Sequence, residues 1–184
     1  MTWCYFGDGA ANQGQVYEVF NMAELWRLPV VFVIENNKYA MGTSIERSSA
    51  TTDLSERGRS FGIPGWQVDG MDVRAVRDAG QRAGEWTRAG NGPFILEMLT
   101  YRYRGHSMSD PAKYRTREEV NDMRDHHDPI AQVRQRMLIA GVNEDELRVI
   151  DRDVRQIVND AAAFAQNAPE PEASELYRDV LAME

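Results

Sequence analysis

Asp8 lies between two glycines in GDGAANQG, residues 7–14, and 29 positions later (37 − 8 = 29) Asn37 lies within ENNKYAMG, residues 35–42. A carboxylate and a neutral amide are both hard oxygen donors, and each of these follows a short apolar run. If the two runs are neighbouring strands of a parallel sheet, their carboxyl ends bring both side chains to the place where such sheets bind ligands. The chemistry this spacing suggests is a magnesium ion bridging to a diphosphate. Magnesium takes about six oxygens at roughly 2.0–2.1 Å, commonly one or two carboxylates together with phosphate oxygens and water. The Asp8 carboxylate, the Asn37 side-chain oxygen, the Tyr39 carbonyl, diphosphate oxygens and a water would fill that set. An amide at position 37 makes physical sense, because a second carboxylate there would repel the diphosphate.

Gly7 and Gly9 flank Asp8, so the backbone is expected to turn sharply and come close to a ligand. Gly9 and Ala10 would then offer amide N–H groups at the start of the following helix, where a phosphate is favoured. Either segment alone is an ordinary turn sequence. Their weight comes from occurring together at strand ends, with a helix of suitable length between them. The chain has no glycine-rich loop ending in Gly-Lys-Ser/Thr and no GxGxxG after a strand, which argues against the common mononucleotide and dinucleotide sites.

The elements that must carry these residues follow from hydrophobic patterning. Apolar runs at residues 2–6, 29–35, 66–68 and 93–100 fit strands. Val16, Val19, Phe20, Ala23 and Trp26 form a stripe on a helix beginning near Asn12, while Val73, Val76 and Ala83 do the same more weakly after Asp72 as N-cap. Strand and helix in alternation mean an α/β fold with a parallel, doubly wound sheet. Residues 2–6 read as a buried strand with almost nothing before it to cover its faces, so the chain is expected to be the C-terminal part of a longer protein. Cys4 is expected to be a small buried hydrophobe.

Residues 102–115, RYRGHSMSDPAKYR, carry Arg102, Arg104, Lys113, Arg115 and His106 without apolar periodicity and read as an exposed loop. Beyond it the pattern is helical. Thr116 with Glu119 and Asn143 with Glu146 have capping-box spacing, and Pro129 restarts a helix between them. Leu147, Ile150, Val154, Ile157, Val158 and Ala161 then form a stripe ending near Asn167, PEPE at 169–172 is a stop, and 173–183 reads as a last helix. This divides the chain into a ligand-binding part, 1–115, and a C-terminal helical extension, 116–184.

With 184 residues, 42% of them hydrophobic, the chain can bury one substantial core. A net charge of −8 argues against a nucleic-acid partner, which would want a basic face. One cysteine allows no internal disulfide and fits a reducing compartment. No apolar stretch approaches the ~20 residues of a membrane span, and no charged segment followed by an apolar one opens the chain, so neither export nor anchoring is expected.

GDG followed at this distance by NN resembles the thiamine diphosphate motif. Residues 7–49, GDGAANQGQVYEVFNMAELWRLPVVFVIENNKYAMGTSIERSS, resemble the alpha subunits of thiamine diphosphate-dependent 2-oxo acid dehydrogenases, and most of all the pyruvate dehydrogenase type. TYRYRGHSMSDPAKYRTREEV, residues 100–120, resembles that family's active-site loop, so the likeness covers essentially the whole chain. The resemblance implies the thiamine diphosphate-binding fold, present in part. It implies decarboxylation of pyruvate on the cofactor, transfer of the acetyl group to a lipoyl group of an acyltransferase partner, and acetyl-CoA as the eventual product. It makes Asp8, Asn37 and Tyr39 magnesium ligands, Gly7, Gly9 and Ala10 the diphosphate cradle, and His106 a catalytic, cofactor-proximal residue.

The same resemblance implies a beta subunit in an alpha2beta2 assembly, with the cofactor at the interface and its activating carboxylate on the beta chain. Tyr17 and Trp26 become candidates for partner contact. Ser107 matches a serine phosphorylated in mitochondrial relatives, but a second such serine is replaced near Lys113 in a shortened loop, which points to the bacterial cytoplasm rather than the mitochondrial matrix. Two alternatives stay open. The substrate could be a branched-chain 2-oxo acid or acetoin, or the chain could be a non-catalytic assembly module.

Overall fold

Residues 1–178 are described by the structure, a computed structural model. The strands are β1 (Thr2–Gly7), β2 (Val30–Asn36), β3 (Tyr39–Ala40), β4 (Thr43–Ser44), β5 (Gly65–Asp69) and β6 (Phe94–Leu99). The helices are α1 (Gly14–Leu25), α2 (Ile45–Ser48), α3 (Val73–Arg88), α4 (Arg117–His127), α5 (Pro129–Ile139) and α6 (Glu144–Asn167), with 3-10 turns at Ala10–Asn12, Ser55–Phe61 and Ala173–Tyr177. The chain forms two compact units, Met1–Val133 and Arg134–Glu184.

In the first unit β1, β2, β6 and β5 lie in that order in one sheet, every pairing parallel. Successive side chains of a strand point to opposite faces. On β2, Phe32 and Ile34 pack with Phe20 and Ala23 of α1, while Val31 and Val33 pack with Ala79 and Ala83 of α3. Both faces are therefore buried, which is why the central strands read as continuous apolar runs. This is the doubly wound α/β arrangement expected from the alternating pattern.

Several expectations need correction. The strand at 2–6 is not buried: β1 stands at the sheet edge, and Cys4 and Tyr5 are exposed there because no further strand or helix among the described residues covers them. Of the α1 stripe only Phe20 and Ala23 are core residues, whereas Val19 and Trp26 are exposed. The four apolar runs also give no sign of the small β3–β4 hairpin or of the 3-10 turn at Ser55–Phe61, which carry no periodic apolar pattern.

The caps hold well. Asp72 accepts from the Arg74 and Ala75 amides at 2.9 and 3.4 Å, and Thr116 Oγ1 accepts from the Glu119 amide at 3.1 Å. Glu119 does something other than complete a capping box: its carboxylate accepts from the Tyr101 hydroxyl at 2.9 Å. Burial, with this bond second, pushes the Tyr101 hydroxyl up to about 12.

The second unit contains α6, opened by a full capping box between Asn143 and Glu146. Leu147 is buried, but Ile150, Val154, Ile157 and Val158 of the same stripe are exposed. The helix expected over 173–183 is a 3-10 turn at Ala173–Tyr177, and its remaining part, 179–183, lies outside the described residues.

One close approach sets a local limit. A Cβ at Gly65 would fall on the backbone carbonyl of Ser55, which cannot move aside as a side-chain tip could, whereas a Cβ at Gly14 would meet nothing within 4 Å. Gly65→Ala is expected to lower stability by about 1–3 kcal/mol, the usual cost of overpacking, and Gly14→Ala by far less. Urea unfolding of the two variants ranks them, and equal stability would contradict the packing of the 55–61 turn against β5.

Candidate metal and diphosphate site

The pairing of β1 with β2 sets Gly7 opposite Glu35, so the chain leaves both strands side by side at their carboxyl ends. Asp8 follows β1 directly and is only 4% exposed. Burial pushes its carboxyl above the ordinary aspartate range, against the opposing pull of N–H bonds from its own backbone and from Asn37, and of the Arg102 and Arg115 charges. Asn37 thus stands beside Asp8, and the Asn37 Oδ1 is buried without a hydrogen-bond partner. A buried acceptor left in that state is costly unless something fills it.

The third expected donor is a main-chain oxygen. The Ile45 amide donates to the Lys38 carbonyl at 2.9 Å, which makes 38 and 45 a hydrogen-bonded pair of the β3–β4 hairpin. Bonded and non-bonded pairs alternate in an antiparallel ladder, so Tyr39 and Ser44 form a non-bonded pair and the Tyr39 carbonyl is directed away from β4.

The diphosphate cradle differs in detail from expectation. The 3-10 turn Ala10–Asn12 intervenes before α1, with the Asn12 amide donating to the Gly9 carbonyl at 3.2 Å and the Gln13 amide to the Ala10 carbonyl at 3.0 Å. The Gly9 and Ala10 amides precede those bonds and stay free of the turn, but they sit on it and not on α1. A Cβ at Gly9 would lie 2.5 Å from the Ala40 Cβ, so Gly9 is what lets the segment after Asp8 approach the β3–β4 hairpin. Gly7 has no such role, since its Cβ would meet nothing nearer than the Glu35 carbonyl at 4.0 Å.

The loop at 102–115 is less exposed than its charge suggested. Arg115 donates to the Asn37 carbonyl at 2.8 Å and to the Arg102 carbonyl, and its guanidinium lies 4.4 Å from the Tyr101 ring centre and 4.9 Å from that of Tyr39. Tyr114 stacks on Tyr39 at 4.6 Å. Arg102 donates to the Met41 carbonyl and the Tyr114 hydroxyl, both at 3.1 Å. Asp110 accepts from the His106 amide and the Tyr114 hydroxyl, each at 2.7 Å, and from the Ala112 amide, which together hold its carboxyl down at about 2. His106 itself is exposed, and its Nδ1 lies 3.4 Å from Arg102 Nη1, so it joins the Asp8 region through Arg102.

Two residues behind the site escaped the sequence reading as functional positions. Glu97, fully buried on β6, accepts from the Leu54 and Ser55 amides at 2.8 and 3.0 Å, from Gln67 Nε2 at 3.2 Å and from Asn36 Nδ2 at 2.6 Å. Burial pushes its carboxyl upward in spite of these donors. Asn36 Oδ1 in turn accepts from the Lys38 amide at 2.9 Å, in a turn where Lys38 has φ 69°. A lone acid inside the apolar strand FILEML was the available signal.

These residues fit a magnesium diphosphate. No three His, Cys, Asp or Glu side chains cluster as a metal cage among the described residues, so an ion here must draw oxygens from its ligand, as magnesium with phosphates does. Of the four buried side-chain polar atoms without a partner among the described residues, three are Asn37 Oδ1, Arg102 Nε and Arg115 Nε, around this one site. An unpartnered acceptor on the residue whose main-chain amide reaches a buried carboxylate suits a cation. Two guanidinium donors close by suit an anion.

Comparison with known proteins places the chain in a family. The family profile described as "Dehydrogenase E1 component" matches residues 1–174. The protein named "Pyruvate dehydrogenase E1 component subunit alpha" of Rhizobium meliloti (strain 1021) is 67% identical over 182 residues, 98% of this chain and 52% of the relative. Its namesake in Zymomonas mobilis is 63% identical over 177 residues, 96% of this chain and 50% of the relative. The mitochondrial protein of that name in Dictyostelium discoideum is 56% identical over 181 residues, 97% of this chain and 48% of the relative. The chain spans about half the length of these curated relatives. On both the profile and these identities, the chain belongs to the dehydrogenase E1 component family.

Proposed function

We propose that this chain supplies the magnesium and diphosphate half of a thiamine diphosphate site in the alpha subunit of a pyruvate dehydrogenase E1 component. The observation that carries this is the buried, unpartnered Asn37 Oδ1, on a residue whose main-chain amide reaches the buried Asp8 carboxylate. Membership of a thiamine diphosphate-dependent family and the relatives' names support the substrate class. When bound, thiamine diphosphate supplies the carbon nucleophile that cleaves 2-oxo acids, and the protein supplies placement and charge.

Asp8, Asn37 Oδ1 and the Tyr39 carbonyl hold the metal, while the Gly9 and Ala10 amides receive the diphosphate in a cradle that Gly7 leads into. Arg102 and Arg115 hold the loop at 102–115 against the turn at 36–39. That loop presents His106 to solvent, and His106 would act on substrate when the cofactor is bound. Residues 1–115 form the cofactor-binding part and 116–184 the helical extension. The remainder of the active site comes from a beta subunit in an alpha2beta2 assembly, and the acetyl group passes to the lipoyl domain of an acyltransferase. The setting is the bacterial cytoplasm. No helix among the described residues is long and apolar enough to cross a membrane.

Titrating thiamine diphosphate with magnesium into the chain, alone and with a beta subunit, tests this reading; binding in neither case would leave an assembly module. Asp8→Asn should act in opposite directions on stability and on binding. The Asp8 carboxyl is held high in the folded chain, so ionising it costs stability as pH rises from the ordinary aspartate range through the folded value. Without metal and cofactor, Asp8→Asn should therefore raise the thermal midpoint at neutral pH, by an amount that shrinks as the solution is acidified below that range. Magnesium-dependent cofactor binding should fall sharply in the same variant. Rates with pyruvate, branched-chain 2-oxo acids and acetoin in the assembled complex decide the substrate, and faster turnover of either alternative would reassign it.

A further inference from the structure

We infer that Glu97 is a positioning residue, a buried carboxylate that sets the orientation of the Asn36 amide and through it shapes the turn presenting Asn37. The inference rests on the magnesium site proposed above and extends it to residues behind that site. Its basis is the polarity of four hydrogen bonds. Glu97 Oε2 takes three donors, the Leu54 and Ser55 amides and Gln67 Nε2, and Oε1 takes Asn36 Nδ2 at 2.6 Å. An ionised carboxylate only accepts, and every group facing it donates.

That leaves Asn36 no freedom. Its NH2 must face Glu97, so its Oδ1 faces the other way and accepts from the Lys38 amide at 2.9 Å. This bond spans Asn37 and closes a turn in which Lys38 takes φ 69°, a conformation that a lysine does not favour unaided. Between the two anchors, the Asn37 amide reaches Asp8 and the Asn37 Oδ1 is left buried and free. A donor and acceptor sequence thus runs from β6 across β2 to the metal turn.

Substituting an amide breaks the sequence at one defined point. In Glu97→Gln the side-chain oxygen can keep the Leu54, Ser55 and Gln67 donors, but its NH2 then faces the Asn36 NH2. Turning Asn36 over only moves the conflict to the Lys38 amide. In Asn36→Asp two carboxylates face each other. The double variant Glu97→Gln with Asn36→Asp restores every bond. The new amide at position 97 donates to one oxygen of the new carboxylate at position 36, whose other oxygen accepts from the Lys38 amide, and the net charge is conserved.

The test uses the chain assembled with its beta subunit, as wild type, both single variants and the double. Three quantities are read: the thermal midpoint without ligands, deuterium exchange of a peptide covering 36–40 without ligands, and thiamine diphosphate affinity at fixed magnesium. Glu97→Gln should speed exchange at 36–40 and weaken affinity on the order of 10- to 100-fold, as supporting partners of metal ligands do, and the double variant should recover both. Wild-type exchange and affinity in Glu97→Gln would overturn the inference. So would a double variant no better than the worse single, with all three quantities falling in step, which is what a merely structural carboxylate gives. If the wild-type assembly binds no thiamine diphosphate, the proposed function fails by itself, and exchange at 36–40 still decides for or against the polarity sequence.

Discussion

Parallel pairing of β1 with β2, with Gly7 opposite Glu35, is the constraint from which the site follows. Because side chains alternate along a strand, a slip of one residue would exchange the α1 and α3 faces of β2 and also move Asp8 away from the turn after Asn36. The register is held by burial on both faces, through Ile34 with Phe20 on one and Val33 with Leu96 on the other. The hydrophobic core and the placement of oxygen donors are thus one structural fact. A change that loosened the first would blur the second.

Electrostatics at the strand ends run against the folded chain. A carboxylate at Asp8 and an unpartnered acceptor at Asn37 are both buried where water would otherwise stabilise them. Such an arrangement is tolerated when a ligand completes it, since binding then recovers what folding gave up. The loop at 102–115 is tied to the same turn through Arg115, which grips the Asn37 carbonyl and stacks on Tyr101 and Tyr39. Arg102, on the Met41 carbonyl, and Tyr114, stacked on Tyr39, tie the loop to the same segment, so the turn and the loop are linked through several side chains.

What the sequence made legible was local. Apolar runs located the four sheet strands, and Asp72, Thr116 and Asn143 marked helix starts that the structure keeps. The β3–β4 hairpin was invisible because its left-handed positions are Lys38 and Met41, where turn chemistry would have called for glycine or asparagine. Cys4 reads as buried yet is exposed, because apolar patterning gives no sign of which strand stands at an edge. The role of Glu97 is not legible in the sequence, since its donors come from positions 36, 54, 55 and 67, and no spacing rule connects them. Pairing at a distance, rather than residue type, carried the missing information.

The edge position of β1 has a bearing on how the sheet can grow. Among the described residues its outer row of amides and carbonyls faces no neighbouring strand, and Tyr5 on it is 62% exposed. An uncovered strand border of this kind is a template for adding another strand, whether from a natural neighbour or from an unrelated molecule. Among the described residues, this border is therefore a place where the parallel sheet can be extended by one more strand, in register with β1.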